Sequence, residues 1–364
     1  MQLLKFPVLI GLILVSFSHL VNAQPRHIAI PATDSIKHWQ NKFHVPLVSV
    51  GIIEKGQIKE TKVLGELPSG MPAPAATFFN IASLTKPVVG MLILQLVSKK
   101  QWNLDQPLSD FFVDPDLAQD ERHHKLTTRI VLAHQTGLPN WRGNNPNKKM
   151  TFAFEPGTQV AYSGEGYMYL GHALEHNFNR SLKELADSLL FKPLGMKNTR
   201  FYWDSKINES YYAGRHDKSG KLLEMEKWYE ANAANLLLTT IEDYCKFGVS
   251  VLQRKGISKK VYQEMTRPQL PKRMLTSRQL GTNYTFGLSW VLYPNLSNGE
   301  MALVHSGSNP GLNTFILLLP KSQRGLVIFT NGENGRELYN KIISNTLDLG
   351  EEFLSRSSQP MLTR

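Results

Sequence analysis

With 364 residues, 41% of them apolar and 20% charged, the chain can bury a sizeable core, which excludes the fibrous and intrinsically disordered classes. Its 41 Lys and Arg against 30 Asp and Glu give a net charge of +11, but the basic residues are scattered in short clusters such as Lys148-Lys149 and Lys259-Lys260. That distribution describes a mildly basic solvated surface and excludes nucleic acid as a partner, while the single cysteine, Cys245, excludes a disulfide framework.

At the N-terminus, Lys5 precedes the apolar run Phe6 to Phe17, and Val21-Asn22-Ala23 has the small-residue spacing of a cleavage site. The run is shorter than the ~20 residues of a membrane span. Residues 1–23 are therefore expected to be a signal peptide, and the mature protein periplasmic or secreted, touching a membrane only through this segment if it stays uncleaved. Asp34 to Lys42 has a weak helical period. Leu47 to Ile53 and Ile58 to Leu64 read as two strands joined by a turn, a hairpin. A proline-rich loop over residues 68–75 leads to Phe79-Asn80-Ile81-Ala82-Ser83-Leu84-Thr85-Lys86, predicted to open an apolar helix, with Pro87 early enough to be tolerated. On a helix Ser83 and Lys86 share a face. A lysine whose pKa is lowered by desolvation can take the proton that keeps a serine hydroxyl unreactive.

Residues 90–280 are mainly helical in pattern. A capped helix is predicted over 127–134, ended by Gly137, and a polar loop over 139–149. Further helices are expected at 164–176, 181–190 and 240–253. Glu155 to Tyr167 is a glycine-bearing loop able to bring Tyr162 against another element. A tyrosine beside an ammonium loses its proton more easily and could exchange protons with Ser83. His172-x-x-Glu175-His176 has metal-site spacing but no apparent third ligand, so no metal is expected. Cys245 reads as a small buried hydrophobe. Strands return at 286–293, 301–305, 312–319 and 325–330; Tyr293-Pro294-Asn295 lies at a strand end before Ser297-Asn298-Gly299, which is turn chemistry. Arg336 to Leu354 reads as one closing amphipathic helix. His305-Ser306-Gly307-Ser308 lies between two strands, where glycine admits a ligand close to the backbone and edge N–H groups can meet an oxyanion. Strand-rich ends around a helical middle predict an α/β (α+β) protein: one sheet built from both termini, with a helical region inserted.

Ser83-x-x-Lys86, Tyr162-x-Gly164 and His305-x-Gly307, in that order, resemble the serine β-lactamase-like family. His134-Gln135-Thr136-Gly137-Leu138-Pro139 and Pro193-Leu194-Gly195-Met196 between them resemble its connecting segments. The family includes class C β-lactamases, D-alanyl-D-alanine carboxypeptidases, D-aminopeptidases and related esterases. The resemblance implies a β-lactamase/transpeptidase-like fold over residues 24–364, an antiparallel sheet from 24–80 and 284–364 with a mainly helical part at 81–283. It implies that Ser83 forms an acyl-enzyme, that Lys86 and Tyr162 share the proton work, and that the N–H groups of Ser83 and Ser308 form the oxyanion hole. Gly164, His305, Ser306 and Gly307 would bind substrate, without a cofactor. The implied activity is that of an exported serine hydrolase acting on an ester or amide, with small-molecule or peptide substrates, cell-wall fragments among them. A catalytically weak penicillin- or muropeptide-binding protein is the alternative. Two departures bear on substrate. The family's middle motif usually ends in Asn, and here it ends in Gly164. The third motif of β-lactamases begins with Lys, and His305 is mostly neutral near pH 7. Both turn the expectation from efficient β-lactam hydrolysis toward an esterase or peptidase. Arg336 is a candidate to supply charge. An α/β-hydrolase is excluded, because Gly248-Val249-Ser250, Gly256-Ile257-Ser258 and Gly287-Leu288-Ser289 each lack the closing glycine.

Overall fold

The computed structural model describes residues 28–269 and 283–358. The expected signal peptide lies outside them. Among the described residues the strands are, in chain order, β1 (Leu47–Glu54), β2 (Gln57–Gly65), β3 (Phe79–Asn80), β4 (Leu238–Thr239), β5 (Thr285–Phe286), β6 (Val291–Leu296), β7 (Glu300–Asn309), β8 (Leu312–Leu319) and β9 (Arg324–Thr330). Seven form one antiparallel sheet in the order β2-β1-β9-β8-β7-β6-β5, and β3 pairs with β4 apart from it. The β1–β9 pairing, Val48 opposite Thr330, joins the two ends of the chain. The sheet is thus built from both termini.

Strand periodicity decides which core each residue enters. Val48, Val50, Ile52, Leu326 and Ile328 face a core completed by Ile36 of the helix Thr33–Phe43 and by Leu338, Ile342 and Phe353 of the C-terminal helices. Leu47, Ile53, Leu303, Ile316, Val327 and Phe329 face the opposite way, into the larger core with the helical region. There the helix Thr85–Ser98 is buried from Thr85 to Leu96, as its nearly uniform apolar sequence requires. Cys245 is buried on the helix Ile241–Leu252, and burial pushes its thiol up, so it packs as an apolar side chain.

Four boundaries differ from the sequence reading. The expected strand 286–293 is two strands, folded back where Gly287 N–H donates to the Trp290 carbonyl. The strand does not end at Tyr293: Pro294 and Asn295 sit inside β6 as a register shift, Asn295 at φ 56°. The predicted helix 181–190 is a helix Leu182–Ala186 followed by a wider π turn, Asp187–Phe191. The closing helix is two, Gly335–Thr346 and Gly350–Ser357. Between these two, Leu347 and Leu349 turn into the core and Asp348 pairs with the nearly buried Arg324 at 2.9 Å.

Candidate active site

Ser83 lies in a 3-10 turn, Ala82–Leu84, that runs into the helix Thr85–Ser98, not within the helix itself. Ala82 takes φ 48°, a conformation that costs a non-glycine residue about 1–3 kcal/mol. It is held there by three bonds. The Ala82 N–H donates to Asn80 Oδ1 at 2.8 Å, the Thr85 hydroxyl donates to the Ala82 carbonyl at 2.7 Å, and the Thr314 hydroxyl of β8 donates to the Ile81 carbonyl at 2.8 Å. Residues three apart eclipse in a 3-10 turn, so Lys86 still stands beside Ser83. Its Nζ donates to Ser83 Oγ at 3.3 Å and to the Ala234 carbonyl at 2.9 Å. Lys86 is fully buried, and among the described residues no carboxylate pairs with it. Burial lowers its pKa from 10.5 to about 7. Aromatic rings surround it: Nζ lies 4.6 Å from the Tyr162 centroid, 5.5 Å from Tyr167 and 6.0 Å from Trp141.

The Tyr162 phenol faces the Ser83 side chain, whose influence is to lower its pKa. Its phenol does not move toward phenolate, as a neighbouring ammonium would favour. Burial outweighs the other influences and pushes its pKa up, so it stays protonated. His134, a residue to which sequence reasoning gave no role, holds Tyr162 in place. It adopts φ 56°, stacks on Tyr162 with ring centroids 4.3 Å apart, and accepts the Ala161 N–H on its carbonyl at 2.9 Å. His134 Nδ1 accepts the Ser163 N–H at 3.2 Å, which places its own proton on Nε2. Burial first, then Lys86 and His305, keep the ring neutral. The available signal was a histidine three residues before Gly137, at the end of the predicted helix.

The expected turn after His305 is instead the continuation of β7 through Asn309, paired with β8. The hairpin closes on Asn309 opposite Leu312 across Pro310-Gly311. In such a hairpin the closing pair is hydrogen-bonded and alternate pairs follow it. Gly307 and His305 therefore bond to β8, while the backbone groups of Ser306 and Ser308 point to the side where β6, ending opposite Val304, has stopped. His305 Nδ1 bonds the Ser306 carbonyl at 2.9 Å, so Nδ1 carries the proton and Nε2 is a bare acceptor. Burial, then Lys86, lower its pKa to about 3. Gly307 allows β7 to reach Ser83. A Cβ there would stand 2.5 Å from the Ile81 carbonyl oxygen and 3.0 Å from Ser83 N. Ser83, Lys86, Tyr162, His305 and Gly307 are thus brought together. By strand alternation the Ser306 and Ser308 side chains lie on the other face of β7, leaving their backbones to the cleft. Arg336 lines a small cavity with His305, Ser306 and Tyr339.

Gly164 opens the helix Gly164–Phe178, and no 164 side chain reaches Lys86; Trp141 stands there. Beyond Asn309 a cavity of about 440 Å³ is lined by Asn80, Trp228, Asn235 and Leu236, beside the Ala234 carbonyl that holds Lys86. A larger cavity, about 680 Å³, lies between Trp102 and Glu264 and holds none of these groups. His172 and His176 both pack on Phe112, at 5.2 and 5.3 Å, away from this cleft.

A family profile described as Beta-lactamase matches residues 34–348. Protein flp of Staphylococcus aureus (strain MW2) is 24% identical over 324 residues, covering 81% of this chain. The chain spans 61% of the length of that relative. The octameric penicillin-binding protein homologue from Pyrococcus abyssi superimposes with a TM-score of 0.70 at 22% identity, over 83% of this chain and 73% of that one. D-alanine carboxypeptidase AmpC from Burkholderia cenocepacia gives 0.68 at 19% identity, over 86% and 97%. These likenesses establish a β-lactamase/transpeptidase-like fold.

Proposed function

This chain belongs to the Beta-lactamase family, and from that membership we propose that it is an exported serine hydrolase cleaving an ester or amide through an acyl-enzyme on Ser83. One observation carries the reading: Lys86, buried without a carboxylate, holds Nζ 3.3 Å from Ser83 Oγ. With its pKa lowered to about 7, much of the amine is free base at neutral pH. It takes the Ser83 proton as Oγ attacks the substrate carbonyl carbon. The N–H groups of Ser83 and Ser308 receive the oxyanion. As the intermediate collapses, the neutral Tyr162 phenol gives its proton to the departing oxygen or nitrogen and regains one from the Lys86 ammonium. Water then repeats the sequence on the ester bond to Ser83.

The substrate reading follows from charge. His305 is uncharged and Lys86 is charged only in part, so neither supplies a full fixed cation for a substrate carboxylate. That favours esters and D-amino-acid amides over β-lactams. The test is covalent labelling of Ser83 by a fluorophosphonate, absent in Ser83→Ala, followed by turnover of aryl esters, D-amino-acid amides, D-Ala-D-Ala peptides and nitrocefin. Efficient nitrocefin hydrolysis would overturn the substrate ordering. Absence of any adduct or turnover would replace the hydrolase with a penicillin- or muropeptide-binding protein. Export is tested by the N-terminus of the mature protein, expected just after Ala23.

A further inference from the structure

We propose that Trp141 sets which acyl groups Ser83 accepts, offering an aromatic wall where a side chain at position 164 would otherwise offer a polar anchor. The proposal rests on the hydrolase reading above. A Cβ placed on Gly164 would stand 2.8 Å from Trp141 Cη2 and 2.9 Å from Cζ2. The indole thus occupies the first shell of space any 164 side chain would need. The same ring lies 6.0 Å from Lys86 Nζ, which is itself 3.3 Å from Ser83 Oγ. Trp141 is only half-buried, so one part of the ring packs inward and another remains open.

The wall is anchored on both sides. The Gly164 N–H donates to the Asn140 carbonyl and to Asn140 Oδ1, each at 3.0 Å, and the Glu165 N–H donates to the same carbonyl at 3.1 Å. On the other side the Arg142 N–H and guanidinium both reach Glu165, at 2.9 and 3.0 Å, while the guanidinium also reaches Asp114 and Asp116. Residues 140 and 142 are thereby fixed to the start of the Gly164 helix, and Trp141 between them has little freedom to swing aside. A rigid indole rewards apolar and aromatic surface laid against it. It cannot make the paired donor and acceptor contacts of a side-chain amide. The acyl group selected is therefore bulky and apolar, aromatic above all, with no requirement for an amide next to the reacting carbonyl.

The experiment measures kcat/KM for p-nitrophenyl benzoate, butyrate and acetate, and the rates of Ser83 labelling by phenyl- and methyl-substituted fluorophosphonates. Wild-type protein is expected to favour the aromatic member of each series. Trp141→Ala lowers the aromatic-to-acetate ratio at least fivefold. Trp141→Leu, which keeps apolar bulk without the ring, lowers the benzoate-to-butyrate ratio and guards against a fold defect in the alanine variant. Absence of Ser83 labelling in wild-type protein overturns the hydrolase reading and this proposal with it. Labelling and turnover with acyl ratios unchanged in both variants, or a shift confined to the leaving group, overturns the role of Trp141 alone.

Discussion

In the hydrolase proposed above, Lys86 carries both the pH dependence of the chemistry and a stability cost. Only its free base can take the Ser83 proton, so labelling should rise with pH through about 7 and then level off. His305, lowered to about 3, and Tyr162, pushed up, stay outside that window. A single ascending limb in the fluorophosphonate rate is expected, and a flat profile would remove Lys86 as base. The stability sign is set by the same shift. The folded pKa lies below the unfolded one, so between pH of about 7 and 10.5 the unfolded chain holds the extra proton and folding gains as pH rises. At and below neutral pH the buried amine costs a few kcal/mol, at about 1.4 kcal/mol per pKa unit. Lys86→Met should therefore raise unfolding free energy at pH 7 by about 1–3 kcal/mol while slowing acylation by at least about 10²-fold. Denaturant melts beside labelling rates check both. A less stable methionine variant would mean that the bond to the Ala234 carbonyl outweighs the burial of the amine.

Among the elements, β7 does most to build the cleft, and its course depends on Gly307. In Gly307→Ala the new Cβ would meet the Ile81 carbonyl oxygen at 2.5 Å, so the Ser83 turn or the strand must shift. Overpacking of this kind costs about 1–3 kcal/mol. Displacing Ser83 N–H from Ser308 N–H should also slow acylation at least tenfold, because attack geometry tolerates little movement. An alanine variant with wild-type labelling would mean that the two amides do not act together. The strand itself shows where local sequence stops being informative. His305-Ser306-Gly307-Ser308-Asn309 has turn composition, yet pairing with the apolar β8 extends it as strand. The β1–β2 hairpin and the apolar β8 and β9 were legible because their alternation or apolar runs follow local burial. The break at Leu347-Asp348-Leu349 was not, since it depends on Arg324, which is distant in sequence. At the site, the juxtaposition of Ser83, Lys86 and Tyr162 was legible from motif order. The positions of His134, Trp141 and Ala234 around them were not, because a stacked ring, a filled space and a backbone carbonyl leave no spacing rule. The phenolate expectation for Tyr162 erred because its burial is a property of the fold.

For the molecule as a whole, the division into a sheet from both ends and an inserted helical part raises the question of whether the parts unfold separately. Phe329 argues that they do not. It belongs to β9, near the C-terminal end of the sheet, and is fully buried. Its ring lies 5.5 Å from Phe79, four residues before Ser83, and 5.6 Å from Tyr244 on the helix Ile241–Leu252. The Tyr244 hydroxyl in turn donates to the Leu84 carbonyl at 2.8 Å, one residue after Ser83. Sheet, helical region and Ser83 turn thus share one packed junction, inside the core that also takes in Leu47 and Ile53 of β1. Truncating a buried phenylalanine in such a setting costs about 3–5 kcal/mol. Phe329→Ala should lower the unfolding midpoint accordingly. In both proteins, loss of helical circular dichroism, of tryptophan fluorescence and of Ser83 labelling should follow one denaturant curve, as a cooperative unit requires. Labelling lost well before the helical signal in wild-type protein would show that the Ser83 turn unfolds as a separate unit, and Phe329 would then be a local contact with no part in joining the two halves.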